Sequence, residues 1–188
     1  MELWVALGIA AFIIVLFIVL YNRIVALVQR RKNAFSDIDV QLKLRLDLVP
    51  NLVETVKGYA SHEKELLENV TKARANAMQG GAIADRVPAE AALGAAVMKL
   101  MAVAENYPQL KADANFRQLQ SELSDIENKI AAARRFFNNA TGEYNTAIKQ
   151  FPAVLIAGMG GFKEEIFFEM AEEEKAAANL APKVKFVS

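Results

Sequence analysis

FRQLQSELSDIENKIAAARRFFNNATGEYNTAIKQF, residues 116–151, is the stretch whose periodicity settles the fold class. Its apolar residues Phe116, Leu119, Leu123, Ile126, Ile130, Ala133, Phe137, Ala140, Tyr144, Ala147 and Phe151 follow one another in alternating steps of three and four. Such steps draw one stripe along a helix, so the segment reads as a seam of about five heptads, on the order of 55 Å long. Gly142 is a mild weakness within it and Pro152 is its stop. Alanines alternate with large residues in the second half, which lets neighbouring helices approach closely. A seam of this length cannot stay in water, and antiparallel packing against the preceding helices is the economical way to cover it.

Those helices are legible upstream. Residues 89–105, opened by Pro88, carry the stripe Leu93, Val97, Leu100 and Ala104, and Tyr107-Pro108 ends them. Asp113, or the residues around it, begins the long fourth helix. Residues 62–79 carry Leu66, Val70, Ala73 and Ala77, with Ser61 as N-cap, Glu63 and Glu65 in the first turn, and Gly80-Gly81 as the break. Gly58 reads as the glycine that closes the helix before. Between residues 38 and 48 the apolar residues alternate strictly (Ile38, Val40, Leu42, Leu44, Leu46, Leu48), which by itself is a strand pattern. Helix is the better assignment, because no Gly or Pro separates this stretch from the apolar N-terminus, leucine favours helix, and Val40, Leu44, Leu48, Leu52 and Val56 also make an i, i+4 chain. Pro50 lies inside that run, so a kink is expected over residues 46–50.

At the N-terminus, residues 3–20 (LWVALGIAAFIIVLFIVL) contain no charged or strongly polar side chain. Eighteen residues rise about 27 Å as a helix, close to the hydrocarbon thickness of a bilayer, and Trp4 and Tyr21 stand near the two ends, where such rings favour the interface. A cleaved signal peptide would need a basic N-terminal flank, a shorter apolar core and a small-residue cleavage site. Here the flanks are Met1-Glu2 and Tyr21-Asn22-Arg23. Arg23, Arg30, Arg31 and Lys32 follow the span, so the positive-inside rule places the N-terminus outside and the remainder in the cytoplasm. The cluster is foremost a topology signal, and it would also lie beside anionic headgroups.

After Pro152 the sequence AVLIAGMGGF, residues 153–162, is apolar, glycine-rich and too short to span a bilayer. A last helix is expected over 163–179, with Ile166, Phe167, Phe168 and Met170 beside Glu172, Glu173 and Glu174. The organisation predicted is a transmembrane anchor over 1–21, a cytoplasmic all-α antiparallel bundle over 22–151, the apolar segment with its last helix over 152–179, and a tail over 180–188.

Composition narrows the chemistry. With 22 basic and 22 acidic residues the chain is neutral, so no global field attracts nucleic acid. It has no cysteine and one histidine, which excludes disulfides, thiolate chemistry and any metal site built on several imidazoles of one chain. His62 beside Glu63 has no nucleophile or second histidine and is read as a helix-start residue. Gly158-x-Gly160-Gly161 lacks a preceding strand, and Lys163 is not followed by Ser or Thr, so it is read as a flexible joint or a close helix contact rather than a phosphate loop. Arg134-Arg135 next to Phe136-Phe137 is a solvated helix face, and Glu122, Asp125, Glu127 and Glu143 lack the Glu-x-x-His motif of di-metal bundles. No catalytic, cofactor-binding or metal-ligating residue is assigned, and neither enzyme activity nor a cofactor is expected.

The order of certain residues is specific. Tyr21-Asn22, Ile38-Asp39-Val40-Gln41-Leu42 and the run DLVPNLVETVKGYASHE at 47–63 closely resemble the LemA family. So do Tyr107-Pro108-Gln109-Leu110-Lys111-Ala112, Asn115-Phe116, Leu119-Gln120, Glu127-Asn128-Lys129-Ile130-Ala131, Ala133-Arg134-Arg135, Tyr144-Asn145, Phe151-Pro152 and Gly161-Phe162. The resemblance extends from the anchor to about Phe168. Two departures are Leu44 and Leu46, where the family pattern is more basic, and Phe136-Phe137-Asn138, where Tyr-Asn is usual. The resemblance implies a single-span, N-out bacterial membrane protein with a cytoplasmic antiparallel helical bundle, in a family some of whose members are associated with membrane invagination or membrane quality control. It implies no particular reaction. The function expected is a non-enzymatic scaffold that self-associates at the cytoplasmic face and organises or remodels the membrane, its partners being lipids and further copies of itself. An adaptor for another membrane protein, such as a protease or signalling complex, is the alternative, and an enzyme on a membrane-proximal substrate a remote one.

Overall fold

A computed structural model describes residues 1–79 and 83–168. The Gly80-Gly81 break, the part of the expected last helix beyond residue 168 (with Met170, Glu172, Glu173 and Glu174) and the tail at 180–188 lie outside the described residues. Among the described residues all regular structure is helical: α1 (Glu2–Tyr59), α2 (Lys64–Ala77), α3 (Ile83–Ala104), α4 (Pro108–Ala112), α5 (Ala114–Lys149) and α6 (Ala153–Gly160). The all-α assignment therefore holds, and the alternating stretch at 38–48 is helix. The apolar N-terminus and the first bundle segment form one helix of 58 residues, assigned without interruption at Pro50.

The chain divides into two packing units. One comprises Met1–Val40 with Lys129–Phe167, and the other Gln41–Asn128 with Phe168. In the second unit a single core gathers Leu48, Val49, Leu52 and Val56 of α1, Leu67, Val70 and Ala77 of α2, Leu93, Val97, Leu100 and Ala104 of α3, Leu110 of α4, and Phe116 and Leu123 of α5. The third helix buries the stripe expected of it. Within this unit Arg45 reaches Glu127 and Tyr59 reaches Asp113, so α5 runs antiparallel to α1.

The buried face of α1 differs from the one expected. Ile38, Leu42, Arg45, Val49, Leu52 and Val56 are buried, in steps of four and three, while Val40 and Leu44 are exposed. Strict alternation places apolar residues all around a helix, so periodicity cannot choose among the faces, and the face that packs includes an arginine. Gly58 does not close α1 either. The only positive φ among the described residues is at Gly161, and the Ala60 N–H still donates to the Val56 carbonyl at 2.8 Å. The chain then turns through residues 60–63, and Glu63, not Ser61, precedes α2, without a side-chain cap. Pro88 lies inside α3 rather than at its start. As the sixth residue of α3 it lies past the first turn and leaves the residue 84 carbonyl without a helical N–H donor.

Two devices join the helices of this unit. Pro50 has no N–H, so the Leu46 carbonyl four residues earlier loses its helical donor, and the Nε–H of Arg74 on α2 donates to it at 2.8 Å. At the start of α5 the Phe116 N–H donates to Asp113 Oδ1 at 2.8 Å, an N-cap, and the Tyr59 hydroxyl donates to Oδ2 at 3.0 Å. The Phe116 N–H first, then the Tyr59 hydroxyl, hold the Asp113 carboxyl below its ordinary range, and the same bond raises the Tyr59 phenol. A depressed carboxyl contributes stability above its unfolded pKa and loses it as the pH falls through the folded value. The raised phenol contributes below its unfolded pKa and loses it as the pH rises through its folded value. Asp113→Ala is therefore expected to lower the midpoint of thermal unfolding at neutral pH and Asp113→Asn to lower it less, with the difference from the parent shrinking in acid. Circular dichroism melts across the acid range check this.

The seam of α5 is buried at Phe116, Leu123, Ile130, Phe137, Ala140, Tyr144 and Ala147 and half-buried at Leu119, Ile126 and Ala133. Phe151 departs from it and is 81% exposed. The helix ends at Lys149, so the heptad phase no longer governs Phe151.

Candidate membrane-proximal site

In the first unit α1 and α5 again run antiparallel. Phe35 meets Phe137 with ring centroids 5.6 Å apart, and further back along α1 Arg31 meets Thr141 and Arg30 meets Glu143 (2.6 Å). Ile24, Tyr144, Ile148, Ala153, Ile156 and Ala157 form one core with Leu20, Leu27, Val28 and Phe162 packed on it, so α6 lies against the turns of α1 that follow the apolar N-terminus. The Phe162 ring meets Tyr21 edge-on at 5.9 Å.

Arg31 is the hub of this unit. Its side chain is 12% exposed, its Nε–H donates to Thr141 Oγ1 at 3.2 Å, and Nη2 lies 3.1 Å from Glu165 Oε2 and 3.5 Å from the Ile166 carbonyl. Its guanidinium also stands 4.9 Å from the centre of the buried Phe137 ring, a cation–π contact. Asn145 brackets Glu165: its amide donates to the Glu165 carbonyl and its oxygen accepts from the Glu165 N–H, both at 2.9 Å. The Tyr144 hydroxyl, its phenol raised chiefly by burial, donates to the Lys163 carbonyl at 2.9 Å.

These bonds explain why no helix starts at Lys163. Residues 163–168 are non-helical, because side chains of α1 and α5 already hold the backbone groups of Lys163, Glu165 and Ile166. Asn145→Ala is expected to speed hydrogen exchange at the Glu165 amide by about tenfold, the equivalent of one hydrogen bond, and to leave the amides of α2 and α3 unchanged. Exchange mass spectrometry resolves the two segments.

The glycine motif of α6 is a helix end. Gly161, at φ +69, takes the left-handed cap, and the Phe162 N–H donates to the Ala157 carbonyl at 3.0 Å, as in a Schellman motif. A Cβ on Gly160 would stand 2.6 Å from the Phe162 ring, so that glycine makes room for the ring on Tyr21.

Two apolar surfaces remain outside this core. From Leu3 to Val19 the large side chains of α1 are exposed, Trp4 to 78%, and α6 exposes Val154, Leu155 and Met159 after the exposed Phe151. The basic cluster behind the apolar segment is divided. Arg30 and Arg31 pair with Glu143 and Glu165, and Arg23 and Lys32 are exposed.

The other candidates of the sequence do not assemble. His62 lies in the turn after α1, and Glu63 accepts the Tyr107 hydroxyl at 3.0 Å, a bond that raises the Tyr107 phenol. Glu122 accepts from Gln118, and Arg135 and Phe136 are exposed, the latter under the Arg30 guanidinium. Among the described residues no three His, Asp or Glu side chains come together to hold a metal.

The charged group hidden from sequence reading is in the second unit. Arg45 and Glu90 have side chains 2% and 1% exposed; Arg45 Nη2 pairs with the Glu90 carboxylate and donates to the Glu90 carbonyl at 3.0 Å, while Nη1 lies 2.9 Å from Glu127 Oε1. A Cβ on Gly94, one turn beyond Glu90, would be 3.4 Å from Nη1, so the glycine leaves space for the guanidinium. Position was the available signal, since Arg45 stands seven residues from both Ile38 and Leu52.

The chain is 26% identical to magnetosome protein MamQ of Magnetospirillum gryphiswaldense over 86% of its own length and 69% of the relative's. It is 25% identical to magnetosome proteins MamQ 1 and MamQ 2 of Paramagnetospirillum magneticum, over 87% of its length and 69% of theirs. The model of the LemA family matches residues 34–186, nearly the whole chain beyond the apolar segment, and the protein belongs to the LemA family.

Proposed function

We propose that this protein is a single-pass, non-enzymatic membrane scaffold, with its N-terminus outside and its helical units at the cytoplasmic face of a bacterial inner membrane, where it self-associates and organises or remodels the membrane. One observation carries this. The same unbroken helix α1 is an exposed apolar rod from Leu3 to Val19 and a packed core element from Ile24 onward. A rod that apolar is stable where lipid covers it. The basic residues behind it support the orientation, because the positive-inside rule counts Lys and Arg whether or not they are paired with acids. Exposed Phe151, Leu155, Met159, Ile166 and Phe167 add apolar surface beyond what the cores use. The MamQ relatives are named for a subcellular structure rather than for a reaction.

The absence of cysteine makes the test direct. In intact cells a membrane-impermeant maleimide should label Glu2→Cys, and should label Ser124→Cys only after permeabilisation. Amine crosslinking in native membranes should then give a ladder of multiples of one chain. Labelling of Ser124→Cys in intact cells overturns the orientation, and a monomer at every concentration overturns the scaffold. A groove of about 640 Å³ on the second unit, floored by Val53 and Leu67 and edged by Glu54, Lys57, Lys64 and Lys72, favours the adaptor as second reading. A crosslinked product containing a different membrane protein instead of the ladder would select it.

A further inference from the structure

We infer that α6 is an interfacial wedge: its outward face, Val154, Leu155 and Met159, together with Phe151 just before it, sits among the acyl chains of the leaflet that adjoins the folded part of the protein. The inference rests on the membrane-anchor reading and goes beyond it, because it assigns lipid to a second element remote in sequence from the span. Residues 151–162 carry no charged side chain, and α6 is apolar all round. Ala153, Ile156 and Ala157 cover one side against α1 and α5, while Phe151 and Met159 are 81% and 79% exposed on the other. A helix apolar on both faces is stable only where both faces leave water. At eight residues, about 12 Å, it cannot cross a bilayer, so it lies in the interface.

Its position names the occupant. The core under α6 is built on Leu20, Ile24, Leu27 and Val28, the turns of α1 that begin where the apolar span ends, and Phe162 touches Tyr21. The outward face of α6 therefore continues the exposed surface of the span itself, and lipid covering one reaches the other. The charges around it suit the headgroup layer: Lys163 and Arg23 are exposed, Arg23 lining a small cleft of about 110 Å³ with Leu20, Gln150, Phe151 and Pro152, while Lys149 is paired with Glu164.

The test uses the full chain in vesicles of phosphatidylethanolamine and phosphatidylglycerol containing a phospholipid spin-labelled near the headgroup end of its acyl chain. An environment-sensitive fluorophore is attached in turn to Leu155→Cys, Met159→Cys, Ile13→Cys within the span and Ser124→Cys in the second unit. The expected result is a blue-shifted emission that loses about half its intensity to the spin label at positions 155 and 159, no quenching at 124, and quenching at 13 by a label placed deeper in the chain. Quenching at 13 with water-like emission at 155 and 159 overturns the wedge and leaves the anchor standing. Blue-shifted emission at 155 and 159 that spin-labelled lipid does not quench means that a second copy covers the face, and also overturns it. Water-like emission at 13 removes the anchor and the wedge together.

Discussion

Replacing Arg45 with alanine is expected to destabilise the protein by about 3–5 kcal/mol, because it strands the Glu90 carboxylate in a site that water does not reach. The pair lies between α1 and α3, where Ile38, Leu42, Val49 and Leu52 precede and follow Arg45 on the buried face. Glu90→Ala strands the guanidinium in turn and should cost a similar amount, since the remaining partner, Glu127, is 41% exposed and its charge is screened by water. Glu127→Ala should cost about 1 kcal/mol or less. The decisive variant is the double substitution Arg45→Met with Glu90→Leu, which removes both charges and keeps the volume; it should be neutral or stabilising relative to the parent. Thermal unfolding of the full chain in detergent measures all four. If the double variant is as unstable as the single ones, the loss comes from packing around Gly94 and not from a stranded charge.

How far the sequence carries to this structure depends on how many faces of a helix are apolar. α5 has one apolar face, and most of its seam from Phe116 to Ala147 packs as the pattern reads; α3 is apolar nearly all round, with Met98 exposed, and there the large residues Leu93, Val97 and Leu100 set the buried stripe. The segment 38–48 has apolar residues on every face, and there the fold chose Ile38, Leu42 and Arg45 over Val40 and Leu44. Its place seven residues from both Ile38 and Leu52 puts Arg45 on their face, but nothing local names its acid, which is 45 residues away on another helix. The non-helical run at 163–168 escaped because its partners are likewise distant in sequence. Tyr144, Asn145 and Arg31 take the backbone bonds a helix would have used, and such partners are tertiary facts. Of this site, the apolar N-terminal segment and the basic cluster were legible, whereas the helix α6 capped by Gly161 and the use of Arg30 and Arg31 in ion pairs were not.

The remaining strong expectation concerns Pro50 and tests whether the bond from Arg74 stands in for a missing helical one. Arg74→Ala should cost about 1–2 kcal/mol, because the Leu46 carbonyl then has neither the N–H that proline lacks nor the guanidinium; the site is only partly buried, which keeps the loss in the lower half of the usual range. Pro50→Ala alone should stabilise, since the alanine N–H reaches the same carbonyl and the ring no longer crowds the preceding turn. The two substitutions share one acceptor, so they cannot be additive. In the Pro50→Ala background Arg74→Ala should cost only a few tenths of a kcal/mol, leaving a coupling of about 1 kcal/mol. A full additive loss would mean that Arg74 acts through its packing on α1 and that the hydrogen bond is incidental. A coupling of the expected size makes Pro50 a docking element: by freeing a carbonyl in the middle of α1, the proline supplies the one backbone acceptor on that helix that α2 bonds among the described residues.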